Sequence, residues 1–244
     1  MFAAIFAMAA GDAQAGAIQR SKASFLYDGR PVRVEFFRPA GVQRPPAALV
    51  LHGASGIGQG WYVYPFAEAL ARRGVAAAVV HYYDGLGKRG QKASPSIFQT
   101  RDDILEKAVD FVLARKDVRP DGLGIYGMSL GGFHALSLGA RDERIRAVVS
   151  LGGALSSHIG PAAAGRLPHT LLLHGSRDRV VPFERALAVS RAIERSGAPG
   201  ALKIYKDEGH SLSQKAHADA VETVARFLSE GLRKPRQLAE SKSH

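Results

Sequence analysis

The chain has 244 residues, which suggests one domain with enough length to bury a single large core. Lysine and arginine number 33 against 22 acidic residues, giving a net charge of +11. The positive residues are scattered singly and do not cluster with aromatic residues, so no nucleic-acid partner is predicted. Such a charge can still attract anionic substrates. The absence of cysteine excludes disulfides, cysteine-ligated zinc and thiol catalysis.

The first residues have features of an export signal. An apolar run at 2–10 precedes Ala-Gln-Ala at 13–15, a cleavage pattern of small residues, although a basic region before the run is missing. We therefore expect residues 1–20 to be a signal peptide or disordered leader and the protein to be periplasmic or secreted; otherwise it is cytoplasmic. No later apolar run is long enough to predict a membrane span.

Strands and helices alternate along the rest of the chain. The turn dipeptide Asp28-Gly29 between apolar runs predicts an antiparallel hairpin. Periodicity predicts further strands at 47–51, 75–80, 123–126, 145–151, 170–175 and 202–205, and helices at 64–73, 96–114, 133–138, 182–196 and 216–228. The pattern predicts an α/β domain over residues 21–230, with a mostly parallel sheet flanked by helices. Residues 231–244 are expected to form a flexible charged tail.

One strand–turn–helix segment contains the pattern G-x-S-x-G, which is Gly127-Met128-Ser129-Leu130-Gly131. A serine in such a turn is held in a strained backbone conformation with its Oγ clear of the chain, and the glycines let strand and helix pass closely. The helix N-terminus behind the turn favours developing negative charge. The pattern makes Ser129 the candidate nucleophile; the alternative is a glycine-rich turn that only packs.

A serine nucleophile needs a base and a third group that orients the base. Asp178 follows the predicted strand 170–175, and His210 follows the predicted strand 202–205. All three residues therefore lie at the carboxyl ends of strands, where ligands bind in an open α/β sheet. Their order, Ser then Asp then His, is the order of α/β-hydrolases. We predict a catalytic triad of Ser129, Asp178 and His210.

These stretches resemble the dienelactone hydrolase-like group of α/β-hydrolases. The resemblance rests on Leu-Val-Leu-His-Gly-Ala-Ser-Gly at 49–56, on G-x-S-x-G, on His-Gly-Ser-Arg-Asp at 174–178 with the Val-Pro that follows, and on Gly209-His210. It extends over nearly the whole chain after about residue 25 and implies the α/β-hydrolase fold. Two departures exist, since dienelactone hydrolases proper have a cysteine nucleophile and carry glutamate where Gly53 stands. The triad therefore carries over, whereas the dienelactone substrate does not.

The resemblance also assigns roles to two loops. The loop after strand 47–51 and the residue after the nucleophile supply the oxyanion-hole amides, which are those of Ala54 and Leu130. Residues 81–90 resemble the substrate-facing loop of the family, so the tentative substrate contacts are Tyr82, Tyr83, Lys88 and Arg89; an ordinary solvated loop is the alternative. The connection 152–167 is too short for the lid of several helices that other hydrolases insert there, so a minimal or absent lid is expected.

Together these features predict a serine hydrolase that cleaves carboxylic esters or lactones, short-chain and with tolerance of anionic ones, through an acyl-enzyme. This chemistry needs no metal or organic cofactor, and no metal site is predicted. The expected partner is a small-molecule ester or lactone, and the sequence leaves the oligomeric state open. Two alternatives remain: a small peptidase like the catalytic domains of prolyl oligopeptidases, and a non-catalytic binding protein on a hydrolase fold.

Overall fold

The computed structural model describes residues 17–58, 60, 62–89, 94–156 and 159–233. In this part of the chain, eight strands form one sheet in the order β1-β2-β4-β3-β5-β6-β7-β8. The β1–β2 and β2–β4 pairs are antiparallel, and the other pairs are parallel. The strands are β1 (Ile18–Tyr27), β2 (Arg30–Pro39), β3 (Ala47–Leu51), β4 (Ala76–Val80), β5 (Leu123–Met128), β6 (Ile145–Leu151), β7 (His169–Gly175) and β8 (Gly200–Tyr205).

The helices connect the strands as the sequence pattern predicts. They are α1 (Tyr64–Arg72), α2 (Pro95–Leu113), α3 (Leu130–Gly139), α4 (Phe183–Ser196) and α5 (Gln214–Arg233), with short 3₁₀ helices at Asp84–Arg89 and Pro161–Arg166. Every residue of β3 and β4 is buried, because helices cover both faces of the parallel part of the sheet. One apolar core holds α2, α3 and α4 against one face, and a second holds α1 and α5 against the other.

The leading hairpin is longer than predicted. β1 begins at Ile18, which pairs with Pro39 at the far end of β2, so the sheet starts inside the predicted leader 1–20. The turn has positive φ at Asp28 (48°) and Gly29 (70°), as a tight hairpin turn with the right twist requires. Residues 1–16, which carry the predicted export signal, lie outside the described residues.

The C-terminal helix also extends past its predicted end. α5 continues to Arg233, so the first residues of the predicted tail 231–244 belong to a helix, and residues 234–244 lie outside the described part. None of the helices in the described ranges is both long and apolar enough to cross a bilayer. The loops that follow β3, β5, β6, β7 and β8 all lie at one edge of the sheet, and this edge holds the predicted site residues.

Candidate active site

Ser129 lies in the turn between β5 and α3, with φ 52° and ψ −119°. A positive φ is costly for a residue with a Cβ, so the surrounding structure must hold it in place. The Ser129 N–H donates to the carbonyl of Leu151 at 2.7 Å, and the Ser129 carbonyl accepts from the N–H of Gly132 at 2.8 Å. The strained turn predicted from G-x-S-x-G is therefore present, and the serine is partly exposed.

The two glycines of the motif allow the strand and helix to touch. A Cβ on Gly127 would lie 2.0 Å from the carbonyl oxygen of Gly131, and one on Gly131 would lie 2.6 Å from the carbonyl oxygen of His52. Neither position has room for a side chain, because in both cases the obstacle is backbone. The glycines thus place the serine against the loop that follows β3.

The structure brings Ser129, Asp178 and His210 together. His210 Nε2 lies 2.9 Å from Ser129 Oγ, and His210 Nδ1 lies 2.7 Å from Asp178 Oδ2. Because a carboxylate can only accept, Nδ1 carries the hydrogen and Nε2 is left as the acceptor for the serine hydroxyl. Asp178 is itself fixed, since its Oδ1 accepts from the N–H groups of Val180 and Val181, each at 2.9 Å.

Two further residues hold the Asp178–His210 pair, and sequence reasoning missed both. The buried His174 donates from Nε2 to the carbonyl of Val181 at 2.9 Å, and the same nitrogen lies 3.3 Å from Asp178 Oδ2. Gly152 runs beside the histidine ring, where a Cβ would lie 3.4 Å from His210 Nδ1. The signal in the sequence was that His174 lies near the end of a predicted strand, four residues before Asp178.

The two predicted oxyanion-hole amides lie beside the serine. The Leu130 N–H is the first of α3, so it has no acceptor within the helix and lies at the positive end of the helix dipole. Ala54 lies in an exposed turn closed by the N–H of Gly56 on the carbonyl of Gly53 at 3.1 Å. A Cβ on Gly53 would be 3.4 Å from the Cβ of Ser129, so this turn passes directly by the serine. Their role as an oxyanion hole stays a prediction.

Of the four predicted substrate contacts, the prediction for Tyr82 is wrong. It is fully buried, its hydroxyl donates to the carbonyl of His52 at 2.7 Å, and its ring stacks on the His52 ring at 4.0 Å. Tyr82 therefore supports the loop after β3 from inside and has no surface for a substrate. His52 Nδ1 donates to the carbonyl of Gly53 at 2.8 Å, and burial lowers the pKa of His52 to about 4, which keeps the ring neutral near pH 7.

Tyr83 is half-buried and donates its hydroxyl to the carbonyl of Ala54 at 2.9 Å, so it does lie next to the predicted oxyanion loop. The 3₁₀ helix after it is anchored by Asp84, whose carboxylate accepts from Arg33 Nε at 2.7 Å. Lys88 and Arg89 end this helix, and their side chains lie outside the described residues. The substrate role of Tyr83, Lys88 and Arg89 stays a prediction.

A second cluster of the same residue types joins α2 to α3. Asp102 accepts from His134 Nδ1 at 2.7 Å and from Ser137 Oγ at 2.6 Å, and it pairs with Arg141 at 2.9 Å. His134 Nε2 has no hydrogen-bond partner within the described ranges. Burial lowers the pKa of His134 and outweighs the opposing effect of Asp102. In the part of the chain that the structure describes, no group of three or more potential ligands could hold a metal ion.

The sheet order, the strained serine turn and the position of the acid and histidine loops define an α/β-hydrolase. A comparison with family models matches residues 32–229 to the dienelactone hydrolase family. The match covers most of the chain, so the chain belongs to this family.

Individual relatives are more distant. The 2,6-dihydropseudooxynicotine hydrolase of Paenarthrobacter nicotinovorans is 29% identical over 52% of this chain and 34% of its own length. A dienelactone hydrolase from Anabaena variabilis has a TM-score of 0.73 at 21% identity, covering 88% of this chain and 99% of that structure. A puromycin-hydrolyzing peptidase from Mycobacterium tuberculosis has a TM-score of 0.74 at 19% identity, covering 94% and 42%.

These structural likenesses, at such low identity, show the fold alone. The chain spans only 34% to 41% of the length of the first curated relatives that it matches. Their activities therefore reach this chain only as proposals. What the family membership itself shows is a hydrolase fold of the dienelactone hydrolase type.

Proposed function

We propose that the protein is a serine hydrolase that cleaves small carboxylic esters or lactones. The single observation that supports this most is the position of His210, whose ring connects Asp178 at 2.7 Å to Ser129 at 2.9 Å. These are the contacts that a general base needs in order to take the proton of a serine hydroxyl. The reaction class follows from this arrangement, because an activated serine attacks acyl carbonyl groups.

In the proposed mechanism, Ser129 Oγ attacks the carbonyl carbon while His210 Nε2 takes its proton. Asp178 stabilises the imidazolium and keeps its orientation. The amides of Ala54 and Leu130 donate to the oxyanion, each contributing about 3 kcal/mol of transition-state stabilisation. His210 then gives the proton to the leaving alcohol, and the C–O bond breaks to leave an acyl-enzyme. Water attacks this ester with His210 again as the base, and the acid and free serine are released.

We propose short-chain esters or lactones as substrates. In the described residues of the segment after β6, the only helix is the short 3₁₀ helix Pro161–Arg166, so we expect a long acyl chain to find little apolar cover there. Apolar burial is worth about 25 cal/mol per Å², and a lid is the usual source of that area for lipids. Tolerance of anionic substrates is proposed from Lys88 and Arg89 and from the net charge of +11.

Two other functions compete with this one. The likeness to a puromycin-hydrolyzing peptidase favours a small peptidase, although this chain covers only 42% of that structure. A non-catalytic binding protein is disfavoured by the three aligned side chains, because binding alone does not require His210 to face both Ser129 and Asp178.

The test is turnover of matched chromogenic substrates. We expect kcat/KM to be highest for p-nitrophenyl acetate or butyrate, much lower for the laurate, and lowest for aminoacyl p-nitroanilides. A carboxylate-bearing short ester should lose its advantage over the neutral one in Lys88→Ala/Arg89→Ala and at high salt. Faster cleavage of the anilides would identify a peptidase, and binding without turnover of any substrate would identify a binding protein.

Export of the protein is a separate proposal. Cleavage between Ala15 and Gly16 would remove the apolar run and leave β1, which begins at Ile18, intact. N-terminal sequencing of the protein from its native host should then begin at Gly16. Recovery of a chain beginning at Met1 from the cytosol would contradict export.

A further inference from the structure

An apolar pocket of about 270 Å³ lies between the segment that follows β6 and one side of α4. The walls are mainly small aliphatic side chains: Ala154 and Leu155 from the segment, and Ala188, Val189 and Ala192 from α4. Val189 and Ala154 are buried, whereas Ala188 is exposed along the opening. The proposed mechanism assigns no role to this pocket.

Two contacts connect the lining of the pocket to the triad. The segment that forms one wall passes the His210 ring at Gly152, immediately before it reaches Ala154. At the mouth, the Arg185 guanidinium lies 4.9 Å from the centre of the Phe133 ring. Phe133 is on α3, where its N–H donates to the carbonyl of Ser129 at 3.1 Å. Phe133 therefore connects Arg185 at the mouth to the first turn of the helix that begins after Ser129.

Arg185 connects two sides of the mouth. Besides stacking on Phe133, it donates from Nη2 to the carbonyl of Leu155 at 3.2 Å, which ties α4 to the opposite wall. Arg185 forms no ion pair with any residue in the described ranges. The cavity is thus formed before a ligand arrives, as small-molecule sites usually are.

We infer that this pocket is the specificity subsite of the enzyme and takes an uncharged apolar substituent of the ester, the size of a phenyl ring or short branched chain. The inference rests on the proposed serine hydrolase function. An apolar cavity of about 150 Å³ is large enough for benzene, whereas pockets for whole drug-sized ligands begin near 300 Å³. A pocket of about 270 Å³ is therefore large enough for one ring-sized group and too small to enclose a long acyl chain.

The strand order separates this subsite from the predicted cationic contacts. The loop with Lys88 and Arg89 follows β4, and the pocket wall follows β6, whereas Ser129 follows β5 between them. The two ends of an ester bound at Ser129 therefore meet different surroundings. One end meets the aliphatic pocket, and the other faces the loop of residues 81–89.

The test fills the pocket at Ala188. Ala188→Phe places a ring at the exposed lining without disturbing the core, and Ala114→Phe is the control, since Ala114 is an exposed alanine that caps α2 at the other edge of the sheet. Two substrate pairs are compared: p-nitrophenyl acetate with p-nitrophenyl phenylacetate, which varies the acyl side, and methyl acetate with benzyl acetate, which varies the alcohol side.

We expect the wild type to favour the phenyl-bearing member of one pair. Ala188→Phe should lower kcat/KM for that member by roughly tenfold or more and leave its smaller partner within about twofold, because the pocket discriminates by shape. Ala114→Phe should match the wild type. Losses that are equal for both members of each pair, or absent from both pairs, would overturn the subsite.

Two further results separate the subsite from the function on which it rests. If the wild type reacts with a fluorophosphonate probe and Ala188→Phe has the same kcat/KM values as the wild type, the subsite is contradicted and the proposed function is not. No labelling and no ester turnover in the wild type would overturn the proposed function and the subsite with it. A preference for a carboxylate-bearing ring that disappears in Arg185→Gln would show an anion site and contradict an uncharged substituent.

Discussion

Two clusters of aspartate, histidine and serine lie in the part of the chain that the structure describes, and their hydrogen bonds are arranged differently. In the cluster of Asp178, His210 and Ser129, the histidine lies in the middle and contacts both partners. In the cluster of Asp102, His134 and Ser137, the aspartate lies in the middle, and His134 Nε2 faces no hydrogen-bond partner among the described residues. The His210 side chain is 15% exposed and that of His134 is 0% exposed.

The two clusters have the same residue types, so composition does not distinguish them. The arrangement of their hydrogen bonds and their exposure to solvent separate a site suited to catalysis from a structural contact between helices. A histidine activates a serine only if one ring nitrogen holds the acid and the other faces the hydroxyl. In the buried cluster, the Ser137 hydroxyl donates its hydrogen directly to Asp102, so it has no hydrogen left to donate to a histidine. Arg141 balances the charge of Asp102 there, and the result is a polar link between α2 and α3, the helix that begins at the nucleophile turn.

The largest expected effect on kcat comes from replacing the histidine of each cluster, one at a time, with glutamine. His210→Gln should lower kcat by a factor of about 10⁴ to 10⁶, because no base remains to take the serine proton. His134→Gln should keep kcat of the folded protein near the wild-type value, because His134 contacts no reacting atom. Ester turnover under folded conditions checks both. An equal loss of kcat in the two variants would mean that the buried cluster takes part in the chemistry.

A smaller but still large effect is expected from the two aspartates. Asp178→Asn should lower kcat by about 10⁴, because the amide favours the wrong tautomer of His210. Asp102→Asn should leave kcat almost unchanged. Single-turnover acylation measured with both variants, after circular dichroism has shown that they are folded, makes the comparison. Wild-type acylation in Asp178→Asn would remove Asp178 from the triad.

The free energy of unfolding should depend most on the buried cluster of Asp102, His134 and Ser137, which has the smaller effect on catalysis. Asp102→Ala leaves the buried His134 and Ser137 without their acceptor and removes one of the two carboxylate partners of Arg141, and such a loss costs about 3–5 kcal/mol of unfolding free energy. The control is Glu222→Ala, which removes an exposed ion pair with Arg73 worth about 0–1 kcal/mol. Urea unfolding measures both. A loss of less than about 1 kcal/mol of unfolding free energy in Asp102→Ala would show that the buried cluster does not stabilise the fold.

The smallest expected effect is a pH dependence of stability that comes from the buried histidine. Burial lowers the pKa of His134, so this histidine stays neutral in the folded protein at a pH where it binds a proton in the unfolded chain. Stability should therefore fall as pH drops below about 6.5, by up to about 1.4 kcal/mol per pH unit for each such group. His52, whose pKa burial lowers to about 4, adds to this loss in the same direction.

Urea unfolding at pH 7, 6 and 5 checks this prediction. His134→Gln should show a shallower loss of unfolding free energy towards acid than the wild type, because one of the histidines whose pKa burial lowers no longer titrates. Identical slopes for the two proteins would mean that His134 takes up its proton equally in the folded and unfolded states.

Much of this arrangement could be predicted from the sequence. The turn at Ser129 is determined locally by Gly127 and Gly131, and Asp178 and His210 follow from the rule that loops after parallel strands meet at one edge. These features depend on backbone connection and turn chemistry, both of which the sequence pattern carries. The mostly parallel sheet and its covering helices were predictable from the alternation of strands and helices along the chain.

Other features depend on how side chains pack, which no pattern carries. Tyr82 and Tyr83 are adjacent aromatic residues in one loop, yet Tyr82 turns inward beneath His52 and Tyr83 remains half exposed. The contact of Asp102 with His134 depends on how closely α2 and α3 pack, which the sequence pattern does not give. The pocket beside α4 likewise exists only once α4 packs near the segment after β6.

The most direct test of the account is covalent labelling with a fluorophosphonate, followed by intact mass and peptide mapping. We predict one adduct per chain, on Ser129, that is absent from Ser129→Ala and retained in full by Ser137→Ala. Ser137 supplies the matched control because it is the serine of the other cluster. An adduct that persists in Ser129→Ala, or that disappears in a folded Ser137→Ala, would contradict the assignment of the reactive serine.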